Sequence, residues 1–153
     1  MSTPLRVALD LRWADTDQYR HVNNVAAVRL AEEARIRLLG LPEKPEHFPP
    51  GDPPVLAVLG TATFTMTVSQ RVEYTAEMPY AGRPVVAEVW LSKIGGRSLT
   101  MDCRLGDGDA IVYFIARVTV VVMDLASRSP RALTGPEIEH LSGYQGEPLA
   151  FRD

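Results

Sequence analysis

From Leu5 to Trp13 the chain alternates. Leu5, Val7, Leu9 and Leu11 fall on one side, and Arg6, Ala8, Asp10 and Arg12 on the other. A period of two predicts a strand with one buried face. A polar turn follows at 14–23, and then the period changes. Ala27, Leu30, Ala31, Ala34 and Leu38 recur at i, i+3, i+4 spacing, which predicts a helix over 24–39. Asn23 or Asn24 is its expected N-cap, and Gly40 followed by Pro42 closes its exit. Three residues of that stripe are alanines, so the helix can lie unusually close to whatever it packs on. Arg29, Glu32, Glu33 and Arg37 lie away from the stripe, with Glu33 and Arg37 spaced as an i, i+4 pair.

Beyond the helix, residues 41–60 hold Pro42, Pro45, Pro49, Pro50, Pro53 and Pro54, a rigid irregular connection. From Ala62 to Met78 alternation returns. Phe64, Met66, Val68, Val72, Tyr74 and Met78 are expected on one face, with Thr65, Thr67, Ser69, Arg71, Glu73, Thr75 and Glu77 on the other. A run this long exceeds the usual ~5–6 residues of a strand, so the sheet should twist and curl. A turn at Ala81-Gly82-Arg83 leads to a strand over 84–94, which Gly95-Gly96 interrupts. Leu99, Met101, Cys103 and Leu105 then alternate with Thr100, Asp102 and Arg104, and Gly106-Asp107-Gly108-Asp109 is a hairpin signal. The last strand, 110–125, is apolar on both faces. One helix cannot cover both, so the second face is expected to meet another subunit, as a homodimer or homotetramer. A short helical signal at Thr134-Gly-Pro-Glu closes the pattern. The expectation is one α+β domain over 1–153: a long helix wrapped by a curled antiparallel sheet of about five strands.

Composition narrows the function more than the fold. The chain has 153 residues, enough for one core, and a net charge of -3, so no basic face points to nucleic acid. No apolar run is long enough to span a membrane. The start, MSTPLRVALDL, does not read as a signal peptide. The single cysteine, Cys103, has no partner for a disulfide or a CxxC site and falls on an apolar strand face. These features point to a cytoplasmic protein. His21, His47 and His140 have no metal-ligand spacing, so no metal is expected. Gly95-Gly96 opens no helix and is not a dinucleotide fingerprint.

The chemistry gathers in ADTDQYRHVNNVAAVRLAEEAR, residues 14–35. Two Asp, a His and two Asn precede a helix N-terminus, where free N–H groups and the helix dipole favour an anion or a polarised carbonyl. This stretch resembles the signature of hotdog-fold acyl-CoA thioesterases of the 4-hydroxybenzoyl-CoA thioesterase group, whose members often read D-x-D-x-x-G-H-V-N-N before the helix. The likeness extends over about residues 5–131, including the Lys93–Ser98 stretch KIGGRS.

The resemblance implies a hotdog fold and hydrolysis of a thioester carried by CoA or acyl carrier protein, with no cofactor. It implies that Asp17 is the catalytic carboxylate, as nucleophile or general base, and that the Asn24 backbone N–H polarises the carbonyl. His21 and Asn23 match positions that shape the turn; His21 would orient Asp17 or the substrate. Taken alone, Asp17 is also the kind of residue that accepts backbone N–H bonds in a turn, and Asn23-Asn24 is also a plain cap. Asp15 is the expected structural partner. Lys93, Arg97 and Ser98 are expected substrate contacts, to CoA phosphates at the subunit edge, with Arg128 and Arg131 as possible additions. Glu32 has the spacing of the helix carboxylate used by another hotdog branch; the alternative is a solvated helix charge. Arg20 stands where the family has glycine and would alter the turn or add a charge for substrate. Ala27 and Val28 stand where many members carry an aromatic residue, a change that would widen the acyl pocket. Two other readings share the fold: a non-catalytic acyl-thioester binder, and an enoyl-CoA hydratase or dehydratase using His21 with Asp17.

Overall fold

In the computed structural model, which describes residues 2–47 and 54–153, the alternating segments form one antiparallel sheet. Its strands are β1 (Leu5–Leu9), β2 (Thr63–Tyr74), β3 (Val85–Ile94), β4 (Ser98–Gly106) and β5 (Val112–Asp124). They lie in the order β1-β3-β4-β5-β2, and a two-residue β6 (Ser129–Pro130) pairs with β5. Helix α1 (Asn24–Leu39) packs on one face of this sheet, which is the hotdog arrangement. Residues 48–53 of the proline-rich connection lie outside the described residues.

The helix forms where the spacing predicts. Asn23 caps it, its side-chain oxygen accepting the Val25 N–H at 2.9 Å. Gly40 ends it in the left-handed region, φ 87°, where an added Cβ would also sit 2.2 Å from Pro54. Ala27, Leu30, Ala31, Ala34 and Leu39 are buried, and Leu38 is half-buried. Opposite them lie Val89, Leu91, Leu99, Met101, Cys103, Leu105, Phe114, Ala116 and Val118, all buried on the helix side of the sheet. Each large apolar side chain removed from water here contributes about 1.5–3 kcal/mol. Among the described residues no helix is long and apolar enough to cross a membrane.

Three expectations need correction. The first strand ends at Leu9 rather than running on to Trp13. Residues Trp13–Asp15 form a 3-10 turn instead, because the buried Asp15 carboxylate accepts the Arg12 N–H at 2.8 Å and draws the chain round.

The second concerns the even alternation of 62–78. Thr67 pairs with Val120 and Ser69 with Thr119, so Val68 is an extra, bulged residue. Every side chain after it changes face. Phe64 and Met66 point away from α1, whereas Thr65, Thr67, Gln70, Val72 and Tyr74 share the helix side. The strand itself ends at Tyr74, and the Thr75 and Ala76 N–H groups close on the Tyr113 carbonyl at 2.9 and 3.2 Å.

The third concerns the outer face of the sheet, which the apolar pattern assigns to another subunit. Much of it is covered by the chain itself. Helix α2 (Gly135–Ser142) starts at Thr134 with a capping box to Glu137. Residues 144–146 then run along the edge of β3 beyond β1, where Gln145 bridges Leu91, and residues 147–152 cross the outer face as a strap. Glu147 sits over Trp90 of β3, Leu149 over Asp102 and Arg117, and Phe151 and Arg152 over β2. Ile115 and Trp90, on this face, are buried without a second chain.

Candidate active site

The sequence between β1 and α1 folds into a small hairpin. Thr16 bridges Val22, the Asp17 N–H donates to the His21 carbonyl at 2.9 Å, and the Arg20 N–H returns to the Asp17 carbonyl at 3.1 Å. At the base of this hairpin Asp15 is buried, with one carboxylate oxygen accepting Arg12 and Arg29 guanidinium N–H groups at 3.1 and 2.9 Å. Burial alone would push its pKa up. The Arg12 backbone N–H and the two guanidinium groups outweigh that and hold it below the ordinary carboxylate range. The Asn23 N–H donates to the Asp15 carbonyl at 2.7 Å, which ties the hairpin to the start of α1. Asp15 is thus the structural acidic residue of the pair.

Asp17 is different. Its Oδ1 accepts the Tyr19 and His21 backbone N–H groups at 2.8 and 3.3 Å, a turn-stabilising arrangement. Its Oδ2 has no protein partner among the described residues. Arg20 adopts φ 64°, the left-handed region that a glycine would occupy freely. The strain of this turn sits on Arg20. The His21 ring does not meet Asp17. Its Nε2 lies 3.3 Å from Glu77 Oε2, while its backbone bridges Pro79.

Asp17, His21 and Asn24 line one cleft of about 350 Å³. Its opposite wall is the end of β2 with the segment just beyond it: Tyr74, Thr75, Ala76, Glu77 and Met78. Its floor is Ala27 and Phe114, both buried. At the helix start the Val25 N–H is taken by the Asn23 cap, and the Ala27 N–H by the Asn23 carbonyl at 3.0 Å. The Asn24 N–H has no partner among the described residues, so capping and a free donor coexist in one turn. The Asn24 carbonyl accepts the Tyr74 hydroxyl at 3.0 Å. A residue with an unshared carboxylate oxygen and a residue with an unused N–H, lining one partly apolar cleft, suit the addition of water to a carbonyl.

The other candidates lie elsewhere. Lys93, Arg97 and Ser98 surround the β3–β4 turn, at the opposite end of the sheet. Ser98 pairs with Val121 of β5, seven residues beyond Phe114, about 23 Å at ~3.3 Å per residue. Arg131 is committed to structure: it donates to Glu137 Oε1 at 2.9 Å, to the Leu59 carbonyl and to Thr63. Arg128 stacks over Phe64. Glu32 is exposed and lines a separate crevice between α1 and the sheet with Arg35, Thr65 and Thr67. Burial depresses the pKa of Arg35 in that crevice. Cys103 is a core residue, its thiol pushed up to about 12 by burial. Among the described residues no group of three or more His, Cys, Asp and Glu could hold a metal.

Sequence reasoning missed Tyr74 and Glu77. Uniform alternation placed Glu77 on a polar outer face, and only the end of β2 at Tyr74 brings it to the cleft.

Residues 11–142 match the family model described as the thioesterase-like superfamily. The chain belongs to that superfamily. This thioesterase is therefore a thioester hydrolase by class. No curated protein matches it. Several solved structures share its fold. A thioesterase superfamily protein from Jannaschia sp. CCS1 superposes with a TM-score of 0.74 at 15% identity, covering 94% of each chain. A thioesterase complexed with coenzyme A and Zn from Thermus thermophilus gives 0.69 at 22% identity, over 96% of this chain and 98% of the other. YbaW, a probable thioesterase from Escherichia coli, gives 0.69 at 21%, over 94% of this chain and 99% of the other.

Proposed function

We propose that this thioesterase hydrolyses an acyl-CoA, or the equivalent acyl carrier protein thioester, in the cytosol. The observation that carries the reading is the shared cleft, lined both by Asp17, one of whose carboxylate oxygens is unshared, and by Asn24, whose N–H is unshared. In the direct route Asp17 removes a proton from water as the water adds to the thioester carbonyl. The oxygen that gains charge is held by the Asn24 N–H and the dipole of α1. Collapse breaks the C–S bond, and the thiolate leaves and takes up a proton. In the covalent route Asp17 adds to the carbonyl itself, the thiolate leaves, and water hydrolyses the resulting anhydride. Rapid quenching of a single turnover distinguishes them: only the covalent route gives an acylated Asp17, and label from labelled water enters the Asp17 carboxylate when water opens that anhydride at the Asp17 carbon.

The expected assembly is a homodimer through the β2 edge. That strand is twelve residues long, has no β neighbour on its outer side among the described residues, and exposes Met66 and Val68. Antiparallel pairing of two β2 edges inverts the partner. Its β3–β4 turn then lies at the cleft end of this sheet, where Lys93, Arg97 and Ser98 of the partner copy would meet CoA phosphates. Arg20, on the cleft hairpin, would add a cation from this chain.

A panel of acyl-CoAs assayed for thiol release tests the reaction and the acyl preference together. Asp17→Ala should lower kcat at least ~100-fold with the fold intact; wild-type turnover in this variant would overturn the assignment, and Glu32→Ala becomes the next test. Asn24→Pro tests the amide. Proline is well tolerated at the first helical position, and Asn23 already has the extended φ −62°, ψ 147° that a following proline requires. The variant should fold normally and lose about 10²–10³ in kcat. A hydratase would instead add water to an enoyl-CoA without releasing thiol. Contact of the His21 ring with Glu77, not Asp17, does not favour it.

A further inference from the structure

The strap over the outer face ends against the strand that walls the cleft. Its middle is pinned at Asp102, which is fully buried and accepts four donors: Ser92 Oγ at 2.9 Å, Arg117 Nε and Nη2 at 2.8 and 2.7 Å, and the Leu149 N–H at 2.7 Å. Arg117 also donates to the Leu149 carbonyl at 2.9 Å. Two residues on, the Phe151 ring packs against both the Arg71 and Arg117 guanidinium groups, 4.8 and 4.9 Å from its centroid. The Arg152 N–H donates to Glu73 Oε1 at 2.7 Å, its guanidinium reaches the Tyr74 carbonyl at 3.3 Å, and its carbonyl accepts Arg71 Nη2.

Tyr74, the last residue of β2, then links this anchorage to the site. Its hydroxyl donates to the Asn24 carbonyl at the start of α1, and its ring stands edge-on to Phe114 in the cleft floor, 5.2 Å between centroids. A continuous set of contacts thus runs from the strap, through Glu73 and Tyr74, to the helix turn that carries the free Asn24 N–H.

We propose that Phe151 and Glu73 are positioning residues, through which the strap holds Tyr74, and with it the start of α1, in register with Asp17. This rests on the thioester-hydrolysis reading of the cleft. A shift of the carbonyl-polarising N–H by a fraction of an ångström weakens an interaction that matters most in the transition state, so kcat should fall more than KM rises. A strap that served stability alone would leave that split unmoved.

The test is a double-mutant cycle in the full chain, with Tyr74→Phe, Phe151→Ala and the pair. Phe151→Ala should lower kcat about tenfold or more with KM within about twofold. The pair should fall no further than Tyr74→Phe alone, because both remove the same link. Losses that simply multiply overturn the proposal. Arg104→Ala is the control: it removes the outer-face contacts to Glu88 and Trp90, away from β2, and should leave kcat unchanged. Native-state hydrogen exchange reads the same link without catalysis. In Phe151→Ala the Thr75 and Ala76 amides should exchange faster, and unchanged exchange overturns the proposal. If the wild type releases no thiol from any acyl-CoA, the catalytic reading fails while the exchange result still decides the strap. If Phe151→Ala does not fold, Glu73→Ala, which removes the acceptor of the Arg152 N–H, carries both measurements.

Discussion

Asp102 and Cys103 are neighbours on β4, both buried, and they point to opposite sides of the sheet. Cys103 is surrounded by the apolar side chains under α1, and burial pushes its thiol up to about 12. Asp102 is surrounded by donors, and its bonds to Arg117 raise the arginine's own pKa. One face is kept dry by excluding polar groups, the other by satisfying them. The first tolerates any apolar filling of the right volume. The second requires particular partners, so its failures should be larger and more specific.

The largest effect expected follows from removing one partner. Asp102→Ala strands Arg117, Ser92 and the Leu149 N–H, and should cost about 3–5 kcal/mol in urea unfolding. Asp102→Leu together with Arg117→Met leaves no stranded charge and should recover part of that loss. A double variant as unstable as the single one would mean that the pair is not what closes this face. On the helix side, Leu105→Ala should cost about 2–5 kcal/mol with no partner substitution able to restore it.

Acid separates the two modes of burial further. Asp15 and Glu137 are both pushed up by burial and pulled further down by their arginines and backbone donors, to a net value below normal. A depressed folded pKa gives stability that is fully present above the unfolded values of about 3.9 and 4.3 and is lost as pH falls through the folded ones. The urea midpoint should therefore be flat between about pH 7 and 5 and drop below about pH 4, while the apolar face contributes no proton dependence. Alkylation of Cys103 by iodoacetamide at pH 8 should be negligible in the native protein. It should remain so in Phe151→Ala, since opening the outer face does not open the helix side. The smallest effect is Arg20→Gly. Relief of the left-handed backbone should stabilise the fold by about 1 kcal/mol, while a rise in KM for acyl-CoA would mark the lost cation.

The helix-side face was legible because periodicity reports it directly. Ala27, Leu30, Ala31 and Ala34 announce α1, and Leu99, Met101, Cys103 and Leu105 announce β4. The motif turn was legible too: two Asp before two Asn signal a capped helix with polar groups to hold. The outer face was not, because the segment that covers it, from Glu147 to Arg152, has no periodicity and works largely through backbone groups. The Leu149 and Arg152 N–H groups and the Glu147 and Leu149 carbonyls carry much of its bonding. Backbone donors leave no trace in composition. Tyr74 escaped for a related reason: its side depends on one unpaired residue upstream, and alternation continued through it without a visible break, while Glu77 escaped because the strand ends before it.

That unpaired residue, Val68, sets how the chain can tolerate changes in length. A single deletion at Ser69 or Gln70 would take up the extra residue, return β2 to an uninterrupted pleat and leave Phe64 and Met66 outside and Val72 and Tyr74 on the helix side. A deletion farther along the strand would exchange the sides of the residues between it and the bulge. A single insertion has no such slack to use. Single deletions should therefore be accepted best at the bulge and less well with distance from it, and insertions least of all.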